Sequence, residues 1–298
     1  MKVAIQGTFG AFHEVAAREF FGDHIVDIVP CERFEDEFVA ISENRADCAV
    51  IAVENSVAGT LLSNLSLIAE SGMGIFAEHY LRIEQNLMAL KGETISDIRE
   101  VRSHPVAIQQ CRDFLEDLRR DGVTIVDHPD TAMSARDIAS KGLRGVAAIA
   151  GVSAAEKYDL SVLASGIESN KNNFTRFLFV APLERRGDLG TLYADVCNKS
   201  SICFTLPHKP GKLAAVLAQV SRYGLDLTKI QSLPVPGREW EYLFFLDMTF
   251  DDRRDYLSVI RELEKVCDKL TLLGEYRRGA VASLPSMQLS EQVDDRKR

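Results

Sequence analysis

The chain has 298 residues, 46% of them hydrophobic and 27% charged, enough apolar material for more than one core of roughly 100–150 residues each. Its formal net charge of -9, with Arg-Lys-Arg at 296–298 as the lone basic run, excludes a nucleic-acid binder that works through a basic stripe. No apolar stretch is long enough to span a bilayer, and the first residues lack the apolar core and cleavage site of a signal peptide, so the expected compartment is the cytoplasm, with no membrane partner.

Short apolar runs at 2–6, 25–29 and 48–53 predict buried strands, separated by helical patterns at 13–21 and 32–44. In the second helix Phe34, Phe38 and Ile41 recur at helical spacing. That order implies an α/β sheet with parallel strands. The middle of the chain repeats the theme, with strands at 101–103, 124–127 and 146–150 and a helix over 105–118. In that helix Ile108, Cys111, Leu115 and Leu118 share a face and Pro105 suits the first turn. Asp130 is placed to cap a helix beginning at Thr131. A further strand covers 175–180. Extended stretches near 74–90 and 160–174 read as crossovers between two α/β lobes, with a cleft between them onto which strand ends and helix N-termini open. After a polar linker the pattern becomes strand 200–206, helix 212–223, strands 227–233 and 242–249, helix 256–265 and strand 270–276. This is a ferredoxin-like βαββαβ order. The domains are therefore expected at 1–180 and 199–278, with a linker at 181–198 and a polar tail at 279–298.

The six cysteines form no Cys-x-x-Cys pair and the histidines no His-Glu-x-x-His spacing, so no metal site is expected. Four polar clusters fall at strand or helix ends. Gly7-Thr8-Phe9-Gly10-Ala11-Phe12-His13-Glu14 can offer backbone N–H groups to an anion near Gly10, and reads equally as a tight turn. Glu54-Asn55-Ser56 closes a strand, where Glu54 suits a general acid and Asn55 a hydrogen-bonding group, or both simply a polar turn. Ser103-His104-Pro105, followed by Gln110-Cys111, opens a helix. His104 reads as structural there, because spacing identifies no partner for it. Asn172-Asn173-Phe174-Thr175-Arg176-Phe177 runs into a strand, with Arg176 offering a fork for a carboxylate and Thr175 a hydroxyl.

Taken in order, the glycine loop with Phe12, Glu-Asn-Ser-x-x-Gly, Ser-His-Pro with Gln-Cys, Thr-Ala-x-x-Ala, and Asn-x-Thr-Arg-Phe resemble the prephenate dehydratase family over about 1–180; Glu78, ahead of Asn86-Leu87, fits as well. The βαββαβ module resembles an ACT domain. The resemblance implies a bilobal, periplasmic-binding-protein-like catalytic domain followed by that domain. It implies a lyase converting prephenate to phenylpyruvate in phenylalanine biosynthesis, without a cofactor because aromatisation drives the reaction. It assigns Thr175 to the leaving hydroxyl, Glu54 as a proton source behind it, and Asn55, Ser103, Gln110 and Phe177 to the substrate site. Gly10, Thr131 and Arg176 are candidates for the substrate carboxylates.

The resemblance further implies phenylalanine as an effector between paired ACT domains of a homodimer or homotetramer, at Pro210, Gly211, Lys212 and Leu213 and at Gln231 and Ser232. The chain departs from the family pattern at Ala11 and His13, where the family carries Thr and Ser. It departs also at Val106, Lys212, Gln231 and Leu233. An arogenate or cyclohexadienyl dehydratase, and a non-catalytic amino-acid sensor, are the competing readings.

Overall fold

Each apolar run of the sequence becomes a strand and each amphipathic stretch a helix packed on it. The computed structural model describes residues 1–22, 26–185, 197–235, 237–238 and 241–280. Most of the expected linker at 181–198 and nearly all of the tail at 279–298 lie outside these residues. The chain runs β1 (Lys2–Gln6), α1 (Phe12–Phe21), β2 (Asp27–Cys31), α2 (Phe34–Ser42), β3 (Cys48–Asn55), β4 (Gly59–Thr60), α3 (Leu62–Ser71) and β5 (Gly74–Arg82). It continues through β6 (Asn86–Ala89), β7 (Glu100–Ser103), α4 (Pro105–Gln110), α5 (Arg112–Arg120), β8 (Thr124–Asp127), α6 (Thr131–Lys141), β9 (Val146–Ala150), α7 (Val152–Tyr158), β10 (Ser161–Ala164) and β11 (Phe174–Ala181). The C-terminal part is β12 (Lys199–Thr205), α8 (Lys212–Arg222), β13 (Asp226–Pro234), β14 (Tyr242–Thr249), α9 (Arg253–Val266) and β15 (Lys269–Tyr276).

The first lobe carries the strand order β5-β11-β3-β1-β2. β1 is parallel to β2 and β3, and the returning β11 is antiparallel to β3 and β5. The second lobe is a separate sheet, β10-β6-β9-β7-β8. The chain leaves the first sheet after Arg82, enters the second at Asn86, and returns between Ala164 and Phe174. The strands thus reach further into the expected crossover stretches than the sequence pattern suggested. The carboxylate of Glu168, on the return crossover, accepts the N–H of Gln85 on the outward one at 3.0 Å, so the two crossovers are tied to each other.

The helix expected over 105–118 is broken at Cys111. The return crossover intrudes there: Ser169 N–H donates to the Gln110 carbonyl at 2.7 Å, and the Ser169 hydroxyl accepts from Asp113 N–H at 3.2 Å. A tertiary contact therefore takes over hydrogen bonds that a continuous helix would make for itself. Two helices, α3 and α7, were not expected from the periodicity.

The C-terminal strands pair antiparallel in the order β13-β14-β12-β15, the ferredoxin-like arrangement. Their sheet continues that of the first lobe through Gly274 beside Ile75. A Cβ at Gly274 would lie 2.2 Å from the Ile75 carbonyl oxygen, so only glycine permits this join.

Pleating divides the first sheet into two faces. Phe177 and Phe179 pack with Ala16, Ala17 and Phe21 of α1. Leu178 and Val180 face the other way, into a core shared with α3 and with Cys203, Phe245, Leu273 and Tyr276 of the C-terminal domain. Arg176 lies on this second face. It donates to Glu78 at 2.7 Å, to Asp247 at 2.5 Å and to the Tyr276 hydroxyl at 3.0 Å. Lys199 donates to both oxygens of Glu78, at 3.0 and 2.9 Å. Burial alone would push the Asp247 carboxyl up, but Arg176 and Lys199 hold it below the usual range. Two cations and two carboxylates are thus buried together at the seam between domains, each with charge-assisted partners.

Among the described residues no helix is long and apolar enough to cross a membrane. Replacing Arg176 with Met leaves Glu78 and Asp247 short of a countercharge, and is expected to cost about 3–5 kcal/mol. Urea unfolding followed by circular dichroism measures this, and an unchanged midpoint would contradict it.

Candidate active site

A cavity of about 370 Å³ lies between the lobes, lined by residues of both. Its aromatic wall is Phe12, His13, Phe34 and Phe177; its polar groups include Asn55, Gln85, Gln110, Asp130, Thr131 and Thr175. None of the described lining residues is a lysine or an arginine.

Thr175 and Asn55 face each other across the β11–β3 pair. Asn55 Oδ1 accepts the backbone N–H groups of Val57 and Ala58, at 2.9 and 2.8 Å. Those two bonds decide which end of the amide is which. Asn55 Nδ2 is then the donor, reaching Thr175 Oγ1 at 3.0 Å and Asn173 Oδ1 at 2.8 Å. The Thr175 hydroxyl therefore accepts from Asn55, which leaves its own proton for another acceptor, and Thr175 lines the cavity.

Gln110 joins the same chain of amides. Its Nε2 lies 3.4 Å from Asn55 Oδ1, and its Oε1 accepts from Gln85 Nε2 at 3.0 Å. With Gln85 so oriented, its Oε1 is buried without a partner among the described residues.

Helix starts supply the positive potential that side chains do not. α1 has Ala11 at its N-cap, with no side-chain cap. The departure from the family pattern at Ala11 thus leaves the first N–H groups of α1 without a capping hydroxyl, open to an anionic ligand. The second lobe clasps the loop before α1, the Tyr158 hydroxyl donating to Phe9 O at 2.7 Å and the Ser153 hydroxyl to Gly10 O at 3.0 Å. The anion contact expected at Gly10 is not available, since its N–H donates to the Glu14 carboxylate at 2.7 Å; with φ +85° and a Cβ that would lie 2.7 Å from Ala154 Cα, Gly10 serves close packing between lobes. α6 begins at Thr131, but its N-cap Asp130 already takes the Met133 N–H at 2.7 Å. Burial pushes the Asp130 carboxyl up.

His13 is not a cation here. Its ring packs against Phe34 and edge-on to Phe177, its Nε2 is covered and has no partner among the described residues, and burial lowers its pKa to about 3. His104 caps α4, with Nδ1 accepting from Val106 N–H at 3.2 Å, and it also lines the cavity, which the purely structural reading of that residue had not expected.

The expected site residues fall into two groups. Thr175, Asn55, Gln110, Phe177 and Thr131 line the cavity. Glu54 and Arg176 do not. They pair with each other in register on the reverse face of the same strands. There Arg176 holds the protein's own carboxylates in place of a substrate's. Glu54 accepts from Lys229 of β13 at 2.9 Å, so it cannot relay a proton to Thr175 from where it stands. Ser103 is also withdrawn, being fully buried with its hydroxyl donating to Ile149 O at 2.7 Å. Gln85 and Asp130 join the lining, and the sequence reading had missed them as site residues. Asp130 was visible only as a cap, and Gln85 sits in a stretch taken for a crossover.

In the C-terminal domain, Gly211 caps α8 in the left-handed conformation, with Pro210, Lys212 and Leu213 around it, and Gln231 Nε2 bonds to Ser232 O at 3.3 Å. A cavity of about 950 Å³ between α3 and this domain is lined by Pro207, His208, Leu233 and Pro234, and by none of the six expected effector residues.

A family model described as prephenate dehydratase matches residues 3–185. The chain is 34% identical over 277 residues to a bifunctional chorismate mutase/prephenate dehydratase of Aquifex aeolicus, covering 93% of this chain and 73% of that one. It is also 34% identical, over 286 residues, to arogenate dehydratase/prephenate dehydratase 2 of Arabidopsis thaliana, covering 93% and 72%. A solved prephenate dehydratase of Arthrobacter aurescens in complex with L-Phe superposes with TM-score 0.80 at 25% identity, covering 93% and 90%. A chain described as a novel type of quorum-quenching acylase, GqqA, superposes with TM-score 0.81 at 27% identity, covering 93% and 98%. One fold therefore carries more than one described activity, and the residues of the cleft must decide between them. The match of the family model over most of the chain, with the relatives at 34% identity, decides the affiliation: this chain belongs to the prephenate dehydratase family.

Proposed function

We propose that the interlobe cleft converts prephenate to phenylpyruvate, carbon dioxide and water, and that the Thr175 hydroxyl assists departure of the ring hydroxyl. The observation that carries this reading is the polarity of the Asn55–Thr175 hydrogen bond, which leaves the proton of Thr175, a cavity-lining residue, for another acceptor. The electron pair of the breaking carbon–carboxylate bond moves through the ring diene and expels the hydroxyl at the opposite carbon. Negative charge grows on that oxygen, and a donor already aimed at it stabilises the transition state more than the ground state. A hydroxyl is too weak an acid to surrender its proton outright, so Thr175 acts as a fixed donor. Asp130 is the carboxyl that faces the cleft, and its upward shift suits it to hold a proton there. The open start of α1 is assigned to a substrate carboxylate. We further propose the cytoplasm as its compartment; the support is that no helix among the described residues is long and apolar enough to cross a membrane.

One observation favours the arogenate reading. Prephenate carries two carboxylates, whereas arogenate adds an ammonium and has a lower net negative charge. A cleft whose described lining holds no lysine or arginine, and which holds Asp130 and the unpartnered Gln85 Oε1, is less hostile to the second ligand. Paired kcat/KM values for the two substrates decide between them.

For the C-terminal domain we assign an amino-acid effector, phenylalanine, at the start of α8 together with a second copy of the chain. The support is the start of α8 at Gly211, which has no side-chain cap, and the L-Phe complex of the Arthrobacter enzyme.

Thr175→Ala is expected to lower kcat about 10²- to 10³-fold with a much smaller change in KM; near-normal turnover by the folded variant would remove Thr175 from this role. Asp at position 55 can still accept from Val57 and Ala58 but cannot donate. It would capture the Thr175 proton, so steady-state kinetics of Asn55→Asp should show kcat down by roughly 10²-fold. Calorimetric titration with phenylalanine should give saturable binding that Gln231→Glu with Leu233→Arg tightens, and a flat titration of the full chain would sink the effector assignment.

A further inference from the structure

The C-terminal domain touches the catalytic strand pair from behind, at the two residues adjacent to the reacting ones. Asp247 of β14 takes the guanidinium of Arg176 at 2.5 Å, and Arg176 follows Thr175 directly. Lys229 of β13 donates to Glu54 at 2.9 Å and to the Thr60 hydroxyl at 2.9 Å, and Glu54 directly precedes Asn55. Each member of the Asn55–Thr175 hydrogen bond therefore has a chain neighbour held by the other domain.

We propose that Asp247 and Lys229 are positioning residues for the Thr175 hydroxyl, so that the C-terminal domain sets the geometry of the catalytic donor from the reverse side of the sheet. This rests on the reading of Thr175 given above. All three guanidinium nitrogens of Arg176 are engaged, by Glu78, Asp247 and Tyr276, and Arg176 is 4% exposed. Asp247 is itself fastened, its other oxygen accepting the Ser201 hydroxyl at 2.5 Å. Displacement of β14 would therefore move Arg176 with it, and Thr175 along the same strand. A misplacement of about 1 Å is enough to cost on the order of a hundredfold in rate. The arrangement also makes the C-terminal domain a part of the catalytic apparatus, whatever ligand it senses.

The test uses the full chain carrying Lys229→Met, Asp247→Asn or Asp247→Glu, each alone and combined with Thr175→Ser, with melting temperatures recorded. Lys229→Met should lower kcat about fivefold and leave KM nearly unchanged, because the interaction matters at the transition state. Asp247→Asn should lower kcat further, and Asp247→Glu should restore part of it. The losses should shrink in the Thr175→Ser background, since residues that act through one hydroxyl are not additive with its own replacement. A folded Lys229→Met protein with wild-type kcat overturns the proposal, as does full additivity with Thr175→Ser. Glu54 is partly exposed and keeps solvent in place of Lys229, so this variant decides the matter even where Asp247→Asn fails to fold. Persistent turnover by Thr175→Ala would instead defeat the reading of Thr175. Loss of turnover in Thr175→Ala with kcat intact in both Lys229→Met and Asp247→Asn removes only the present proposal.

Discussion

The pleat of the β11–β3 pair, shifted by one residue at Val53, is the constraint on which the site depends. Thr175 and Asn55 stand on one face, Arg176 and Glu54 on the other, because consecutive side chains of a strand must point to opposite sides. Every other feature of the site follows from which side each residue takes. The face with Thr175 continues into Phe177, His13 and the cleft. The face with Arg176 continues into Glu78, Lys199 and Asp247 and is sealed by the C-terminal sheet.

That parity also explains what the sequence could and could not tell. Runs such as 48–53 and 175–180 announced themselves as buried strands, and the βαββαβ order of the last part was legible from periodicity. The motif around Thr175 located the site, but its letters were read as one cluster when the pleat had already divided them. The alternation rule applied to Glu54-Asn55 and Thr175-Arg176 would have sent one of each pair away from the cleft. Other misses had no local signal. The break at Cys111 comes from Ser169, some sixty residues on, claiming the Gln110 carbonyl. Gln85 becomes a lining residue only because both crossovers meet beside it. Ser103 kept its expected place at a strand end, but its hydroxyl is spent on Ile149 O of the adjacent β9.

Electrostatics in the cleft follow from the same sorting. With Arg176 committed behind the sheet, the described lining is left with hydroxyls, amides, a neutral His13, Asp130 and His104, whose pKa burial lowers. An anion must then be held by oriented backbone dipoles, and two helix starts that border the cavity, α1 at Ala11 and α3 at Leu61, have no side-chain cap. A helix N-terminus carries about half a positive charge and is strongest where water is excluded. Such a site distinguishes poorly between a carboxylate belonging to a keto acid and one belonging to an amino acid. The discrimination must come from groups that meet the carbon beside that carboxylate, a ketone in one ligand and an ammonium in the other; Gln85 and Asp130 offer acceptors in the cavity for the second.

A buried cluster of four charges is a poor device for stability alone, since apolar residues of the same volume often serve as well or better. What it offers is registration. Hydrophobic contact at the seam, such as that among Val180, Cys203, Phe245 and Leu273, tolerates sliding. A guanidinium bound at three nitrogens, beside a lysine bound to the same glutamate, does not. The glycine at 274 adds a backbone join that admits no side chain. These two features fix the C-terminal sheet against β5 and β11 in one alignment. A fold that needed only to keep two domains together would not require either. One in which the C-terminal sheet positions a hydroxyl for a reaction, as proposed for Thr175, is served by both.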